Sequence, residues 1–195
     1  MASDKPKVTV ISWSQLFHDT LELARKITLS NYKPEKLVII VRGGLVIGRI
    51  LSDLLQVKDI LNVPVSFYRG IGSTIEKPII KEKIAEASIE NKSILIVDDI
   101  VDTGETLTAV QNYLIKYKPK EIRSATPYVK PWAKVYPTYY VKVVKDWIVF
   151  PYELRETIES LSTDEIGFLG LDSKTFEEIR TLIDMYNSNE VKRGE

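Results

Sequence analysis

Asp98, Asp99, Asp102, Thr103, Gly104 and Thr106 fall within one short run, and together they set a chemical problem. Adjacent ionised carboxylates only accept hydrogen bonds, so Asp98 and Asp99 call for a ligand rich in donors. The turn Asp102-Thr103-Gly104-Glu105-Thr106 opens a helix, where backbone N–H groups beside two threonine hydroxyls cradle an anion. Acids beside an anion cradle are reconciled by a ligand that carries both vicinal hydroxyls and a phosphate. A ribose 5-phosphate has that pattern, with Asp98 and Asp99 on the hydroxyls and the turn on the phosphate. Taken singly, any of these residues is better read as part of an ordinary strand–turn–helix with an N-capping Asp or Thr, and only the whole run favours the ligand.

The elements that must position them are legible on both sides. Ile94-Leu95-Ile96-Val97 is a continuous apolar run, as for a strand buried on both faces of a parallel sheet. The acids follow at its C-terminal end, where open α/β sheets bind ligands. Leu107, Val110, Leu114 and Ile115 give the helix after the turn an apolar face. The same grammar occurs earlier: Leu37 to Val41 reads as a strand, Arg42-Gly43-Gly44 as a tight turn, and Ile47, Ile50, Leu51, Leu54 and Leu55 as a helix face. An arginine there can grip a phosphate with its planar fork, and glycines permit close backbone approach. A plain left-handed turn explains the glycines equally well.

Elsewhere the chain alternates strand and helix patterns. Lys7 to Ile11 suits a short strand, and Ser12-Trp13-Ser14-Gln15 has capping-box spacing. The helix it opens would bury Leu16, Phe17, Leu21, Ala24 and Ile27 and leave His18 in solvent. Pro64 to Tyr68 suits a third strand. The stretch Arg69 to Pro78 lacks the third glycine of a dinucleotide fingerprint and reads as a mobile loop. Ile122 to Val129 and Tyr139 to Val144 read as strands, the first ending in Lys130-Pro131-Trp132 and the second followed by Asp146-Trp147-Ile148. From Tyr152 onward the pattern is helical, and Phe176, Ile179, Leu182, Ile183 and Tyr186 share one face.

Composition narrows the chemistry. With no cysteine and a single histidine, thiolate catalysis, disulfides and Cys/His zinc sites are excluded. Any metal must then be a hard cation held by oxygen. Lysines plus arginines balance aspartates plus glutamates at 27 each, so no global field recruits nucleic acid or an anionic membrane. No secretory signal pattern and no membrane-length apolar run is present, which gives the expectation of a cytoplasmic protein. Strands alternating with helices predict an α/β fold with a doubly wound, mainly parallel sheet. The expected division is a core over residues 1–153, including small hood elements, and a C-terminal helical extension over 154–195, in the same domain or as a cap.

The run from Ile94 to Thr106 resembles the phosphoribosyl-diphosphate motif of type I phosphoribosyltransferases: apolar strand, acid pair, two apolar residues, then Asp-Thr-Gly-x-Thr. Arg42-Gly43-Gly44-Leu45-Val46, Lys130-Pro131 and Asp146-Trp147-Ile148 bring the chain closest to the xanthine-guanine/hypoxanthine branch. The resemblance implies transfer of 5-phosphoribose from 5-phosphoribosyl 1-diphosphate to a 6-oxopurine, giving a purine nucleoside monophosphate and diphosphate. By the same resemblance Asp98 and Asp99 hold the ribose hydroxyls, and Thr103, Gly104, Glu105 and Thr106 hold the 5′-phosphate. Arg42, Gly43 and Gly44 meet the diphosphate, and Arg69 is the loop cation. Asp102 takes the proton from N7 of the purine, Lys130 donates to O6, Trp147 stacks on the base and the backbone of Ile148 meets its edge. Mg²⁺ would be carried mostly by substrate and water, with Asp98, Asp99 and Glu153 nearby, and a homodimer or homotetramer is implied. An adenine enzyme on the same frame, and more remotely a non-catalytic regulator that senses phosphoribosyl diphosphate, are the alternatives.

Overall fold

Three apolar runs become the centre of one sheet in the computed structural model, which describes residues 7–69, 76–80, 89–160 and 172–191. They are β2 (Lys36–Val41), β5 (Ser93–Val97) and β7 (Glu121–Val129). β5 pairs in parallel with β2 from Lys36↔Ile94 to Ile39↔Val97, and with β7 from Ser93↔Glu121 to Val97↔Ala125. Leu37, Val38, Ile94, Leu95 and Val97 are fully enclosed, as strands covered on both faces must be. β3 (Ile60–Arg69) adds in parallel beyond β2, and β4 (Glu76–Ile80) closes that edge antiparallel. β8 (Tyr139–Val143) lies parallel on the other side of β7.

After β2 the chain runs through α2 (Leu45–Leu54) to β3 on one side, and after β5 it runs through α3 (Glu105–Ile115) to β7 on the other. The direction of winding therefore reverses between β2 and β5. At such a switch point the C-terminal ends of neighbouring strands diverge and leave a crevice for a ligand. β6 (Ile100–Val101) continues the line of β5 along the same neighbour, pairing Ile100↔Tyr128 and Val101↔Val129. Asp98 and Asp99 thus occupy the gap between two ladders that share β7.

Residues 16–145 form one compact unit around this sheet, and residues 1–15 with 146–195 form another. In the second unit β1 (Val8–Val10) pairs in parallel with β9 (Trp147–Val149) from Val8↔Trp147 to Val10↔Val149. The Trp147 N–H donates to the Lys7 carbonyl at 2.8 Å, and the Ile11 N–H to that of Val149 at 2.9 Å. α4 (Leu154–Ser160) and α5 (Ser173–Val191) belong to the same unit. Among the described residues no helix is long and apolar enough to cross a membrane.

Two expectations are corrected. β3 begins at Ile60 and ends at Arg69, and Glu76-Lys77-Pro78 are strand rather than loop, with Tyr68↔Lys77 and Phe67↔Pro78 in register. Pro78 lies on the edge strand, which accommodates a residue lacking an N–H. The rest of the predicted loop, 70–75, lies outside the described residues. In α1 (Trp13–Leu29) the buried face is Leu16, Asp19, Thr20, Leu23, Ala24 and Ile27, while Phe17 is exposed. Two polar residues displace Phe17 from that face because they have partners. Asp19 accepts from the Tyr128 phenol at 2.7 Å and from the Lys142 ammonium at 2.8 Å, and Thr20 donates to the Leu16 carbonyl. Burial, and then the Asp19 bond, push the Tyr128 phenol far above its ordinary range. The predicted capping contact is present, with the Ser12 hydroxyl accepting from the Gln15 N–H at 3.1 Å.

Candidate active site

The acid pair owes its geometry to the interrupted strand. The Asp98 N–H still reaches back to β7, donating to the Ala125 carbonyl at 3.3 Å, and the Asp99 N–H turns onto the Asp98 carboxylate at 3.0 Å. Asp99 is buried and Asp98 is half-buried as a residue. Burial of its carboxyl, together with the neighbouring Asp99 charge, pushes Asp98 well above the usual carboxylate range. Two carboxylates held side by side in a partly dry site repel, and hydroxyl donors or a cation would relieve that repulsion.

The loop after β2 is built against this pair. The Val41–Arg42 peptide bond is cis, and the Gly44 N–H donates to the Ile40 carbonyl at 2.9 Å. A Cβ placed on Gly43 would fall 2.5 Å from the Asp99 carboxylate, so any larger residue there would have to displace that carboxylate or the loop. Arg42 is exposed at the mouth of the loop. The Arg42–Gly44 turn and the acid pair, far apart in sequence, are therefore one surface.

The helix-opening turn completes it. Gly104 precedes α3 with φ +90°, a conformation that favours glycine, and a Cβ there would lie 3.0 Å from the Val135 backbone. The Thr103 hydroxyl accepts from the Glu105 N–H at 3.3 Å, and the Thr108 hydroxyl donates to the Gly104 carbonyl at 2.8 Å. A cavity of about 500 Å³ is lined by Thr103, Gly104, Glu105 and the outer face of α3, with Lys134, Val135 and Pro78 opposite.

Lys130, at the end of β7, is buried, and its N–H donates to the Val101 carbonyl at 2.8 Å. Asp102 is exposed, and its Oδ1 accepts from the Trp132 indole N–H at 2.7 Å. In the sequence Trp132 stands only as part of a strand end. Lys-Pro-Trp marks a turn, but only folding reveals that the turn lies over residues 101–103.

The structure thus brings Arg42, Gly43, Gly44, Asp98, Asp99, Asp102, Thr103, Gly104, Glu105, Thr106 and Lys130 into the unit that carries the large sheet. Arg69 ends β3 in that unit. Trp147, exposed, and Ile148, buried, lie on β9 in the other unit. Glu153 is also there, immediately before α4, with its carboxylate accepting from the Phe150 N–H at 3.3 Å. Among the described residues no three acidic or histidine side chains gather as a metal cage. The donor set at Asp98 and Asp99 is nevertheless all oxygen, which suits a Mg²⁺ ion that arrives with substrate oxygens and water.

Residues 12–157 match the model of the phosphoribosyl transferase domain family. The chain is 33% identical over 146 residues to a xanthine-guanine phosphoribosyltransferase of Gluconobacter oxydans, an alignment covering 73% of this chain and 83% of that protein. It is 31% identical over 159 residues to the Idiomarina loihiensis protein of the same name, covering 80% of this chain and 93% of the relative. Among solved structures, the purine phosphoribosyltransferase of Pyrococcus horikoshii superposes with a TM-score of 0.67 at 36% identity, over 75% of this chain and 93% of that one. The xanthine-guanine-hypoxanthine phosphoribosyltransferase of Helicobacter pylori gives 0.63 at 26% identity, over 79% and 99% respectively.

Proposed function

The chain belongs to the phosphoribosyltransferase family, and from that premise we propose a purine phosphoribosyltransferase that acts on 6-oxopurines. It transfers 5-phosphoribose from 5-phosphoribosyl 1-diphosphate to guanine, xanthine or hypoxanthine. The observation that carries the reading is the surface shared by the Arg42–Gly44 turn, the acid pair and the helix-opening turn at the switch point. It offers acceptors for two hydroxyls between two anion-binding loops, which is the pattern of a ribose bearing a 5′-phosphate and a 1-diphosphate.

In the reaction N9 of the base attacks C1′, the C1′–oxygen bond breaks, and its electron pair leaves with diphosphate. The proton on N7 goes to Asp102. Positive charge builds on the ribose, and the Asp98–Asp99 pair stabilises it while holding the 3′- and 2′-hydroxyls. Thr103, Gly104, the Glu105 backbone and Thr106 anchor the 5′-phosphate, while Arg42 and the Gly43 backbone hold the diphosphate. Arg69 adds a further cation toward it. Asp98 and Asp99 would be the protein donors to a Mg²⁺ that arrives with substrate oxygens, and the ion would supply charge neutralisation to the diphosphate. Glu153 is retained only as a more distant acidic candidate.

The base preference rests on Lys130. A buried ammonium donates to an exocyclic O6 and meets the donor amine of adenine poorly. The family resemblance adds Trp147 as a stacking platform and the Ile148 backbone at the base edge, a cytoplasmic location, and assembly into a homodimer or homotetramer. The test is nucleoside monophosphate formation from phosphoribosyl diphosphate and Mg²⁺ with guanine, xanthine, hypoxanthine and adenine in turn. Turnover of the 6-oxopurines is expected. Turnover of adenine alone would overturn the Lys130 assignment, and no turnover on any base would overturn the enzyme.

A further inference from the structure

We infer that Trp132 is a positioning residue for both polar groups of the base-binding edge, Asp102 through its N–H and Lys130 through its ring. The inference rests on the reading of Asp102 as the proton acceptor. An indole has a single donor and no acceptor, so its 2.7 Å bond fixes which Asp102 oxygen is occupied and leaves the other for the N7 proton. The Lys130 ammonium lies 5.4 Å from the centre of the same ring, within the range of a cation–π contact. N7 and O6 lie on one edge of a purine, so their acceptor and donor must be held a fixed distance apart. A carboxylate and an ammonium of opposite charge would otherwise draw together. One rigid side chain engaged with both sets their spacing.

The backbone makes the indole a fixed reference. Lys130-Pro131-Trp132-Ala133 closes a turn through the Ala133 N–H and the Lys130 carbonyl at 3.1 Å, with proline at the position that pre-sets its φ. The Lys130 N–H then bonds the Val101 carbonyl at 2.8 Å, and the Lys134 N–H bonds that of Thr103 at 2.9 Å. The turn is therefore clamped to the residues on either side of Asp102. Trp132 remains 54% exposed, so core packing does not explain its placement.

The test compares Trp132→Phe, which keeps a ring face for Lys130 and loses only the N–H, with Trp132→His, which restores a ring N–H. Each is made in the natural chain and in Asp102→Asn, and initial rates are measured with phosphoribosyl diphosphate and a 6-oxopurine. Loss of a hydrogen bond to a charged group predicts a kcat for Trp132→Phe lower by about ten- to hundredfold. KM for phosphoribosyl diphosphate should stay unchanged, and Trp132→His should recover part of the rate. In the Asp102→Asn background Trp132→Phe should cost little more, because a residue acting through Asp102 has nothing left to position. An undiminished kcat for Trp132→Phe, or an equal loss in both backgrounds, would overturn the inference alone. Full activity of Asp102→Asn itself would overturn the reading beneath it.

Discussion

On the proposed reading, the sugar-phosphate side of the site and the base side are built by different means. On the first, Arg42-Gly43-Gly44, Asp98-Asp99 and Asp102 to Thr106 are short contiguous segments at the ends of neighbouring strands, shaped by glycine contacts and strand breaks. On the second, Lys130 and Trp132 come from a turn after β7 that folds back over residues 101–103. The first is backbone geometry around a constant ligand part. The second is side-chain chemistry, and substrate preference can change there without disturbing the phosphate loops.

The largest expected effect falls where the two sides meet. Asp102→Asn should lower kcat by about 10²- to 10⁴-fold, the usual range for a general base, with KM for phosphoribosyl diphosphate little changed. An unchanged kcat in steady-state assays would break the assignment. Gly43→Ala should act on the sugar-phosphate side alone. The new methyl must displace the Asp99 carboxylate or the loop, and strain of about 1–3 kcal/mol corresponds to a KM for phosphoribosyl diphosphate raised at least fivefold. Its KM for the base should stay within twofold, a bound checked by saturation kinetics with each substrate.

Lys130→Met should do the reverse, raising KM for guanine or hypoxanthine about tenfold through loss of a charged hydrogen bond. A comparable rise for phosphoribosyl diphosphate would erase the distinction between the sides. Trp147→Ala should cost roughly 1 kcal/mol of base stacking, about a fivefold rise in KM for the base. The smallest effect is one of stability. Asp98 has a folded-state pKa above its ordinary value, so the free protein loses stability as pH rises from the normal carboxylate range toward that higher value. Asp98→Asn removes this loss and should raise the Tm of the ligand-free protein near neutral pH, by about 2–4 °C for each kcal/mol recovered. Melting curves at acidic and neutral pH, which should converge at the acidic end, check the sign.

The same contrast explains what the sequence could reveal. β2, β5 and the turns after them are local: apolar runs, glycines and adjacent acids within a few residues carry their own signal. The β1–β9 pairing joins strands from opposite ends of the chain, and no local period encodes a partner that remote. The β3–β4 hairpin was obscured by Pro78, which weakens a strand pattern yet is tolerated on an edge. Spacing alone places Phe17 in the core, but the buried face closes around Asp19 and Thr20, whose partners on β7, on β8 and one turn back in α1 satisfy them. The Trp132 contact is remote in the same sense as the β1–β9 pairing. Its role depends on a turn folding back over residues 101–103, a contact between segments 30 positions apart.

The most direct test of the central claim is equilibrium binding of phosphoribosyl diphosphate with Mg²⁺, followed by titration calorimetry, for the natural chain, Lys130→Met and the double variant Asp98→Asn/Asp99→Asn. If the switch-point surface holds the ribose phosphate, Lys130→Met binds as tightly as the natural chain and the double variant loses binding by tenfold or more. Undiminished binding by the double variant would contradict the assignment of the acid pair to the ribose, and with it the site.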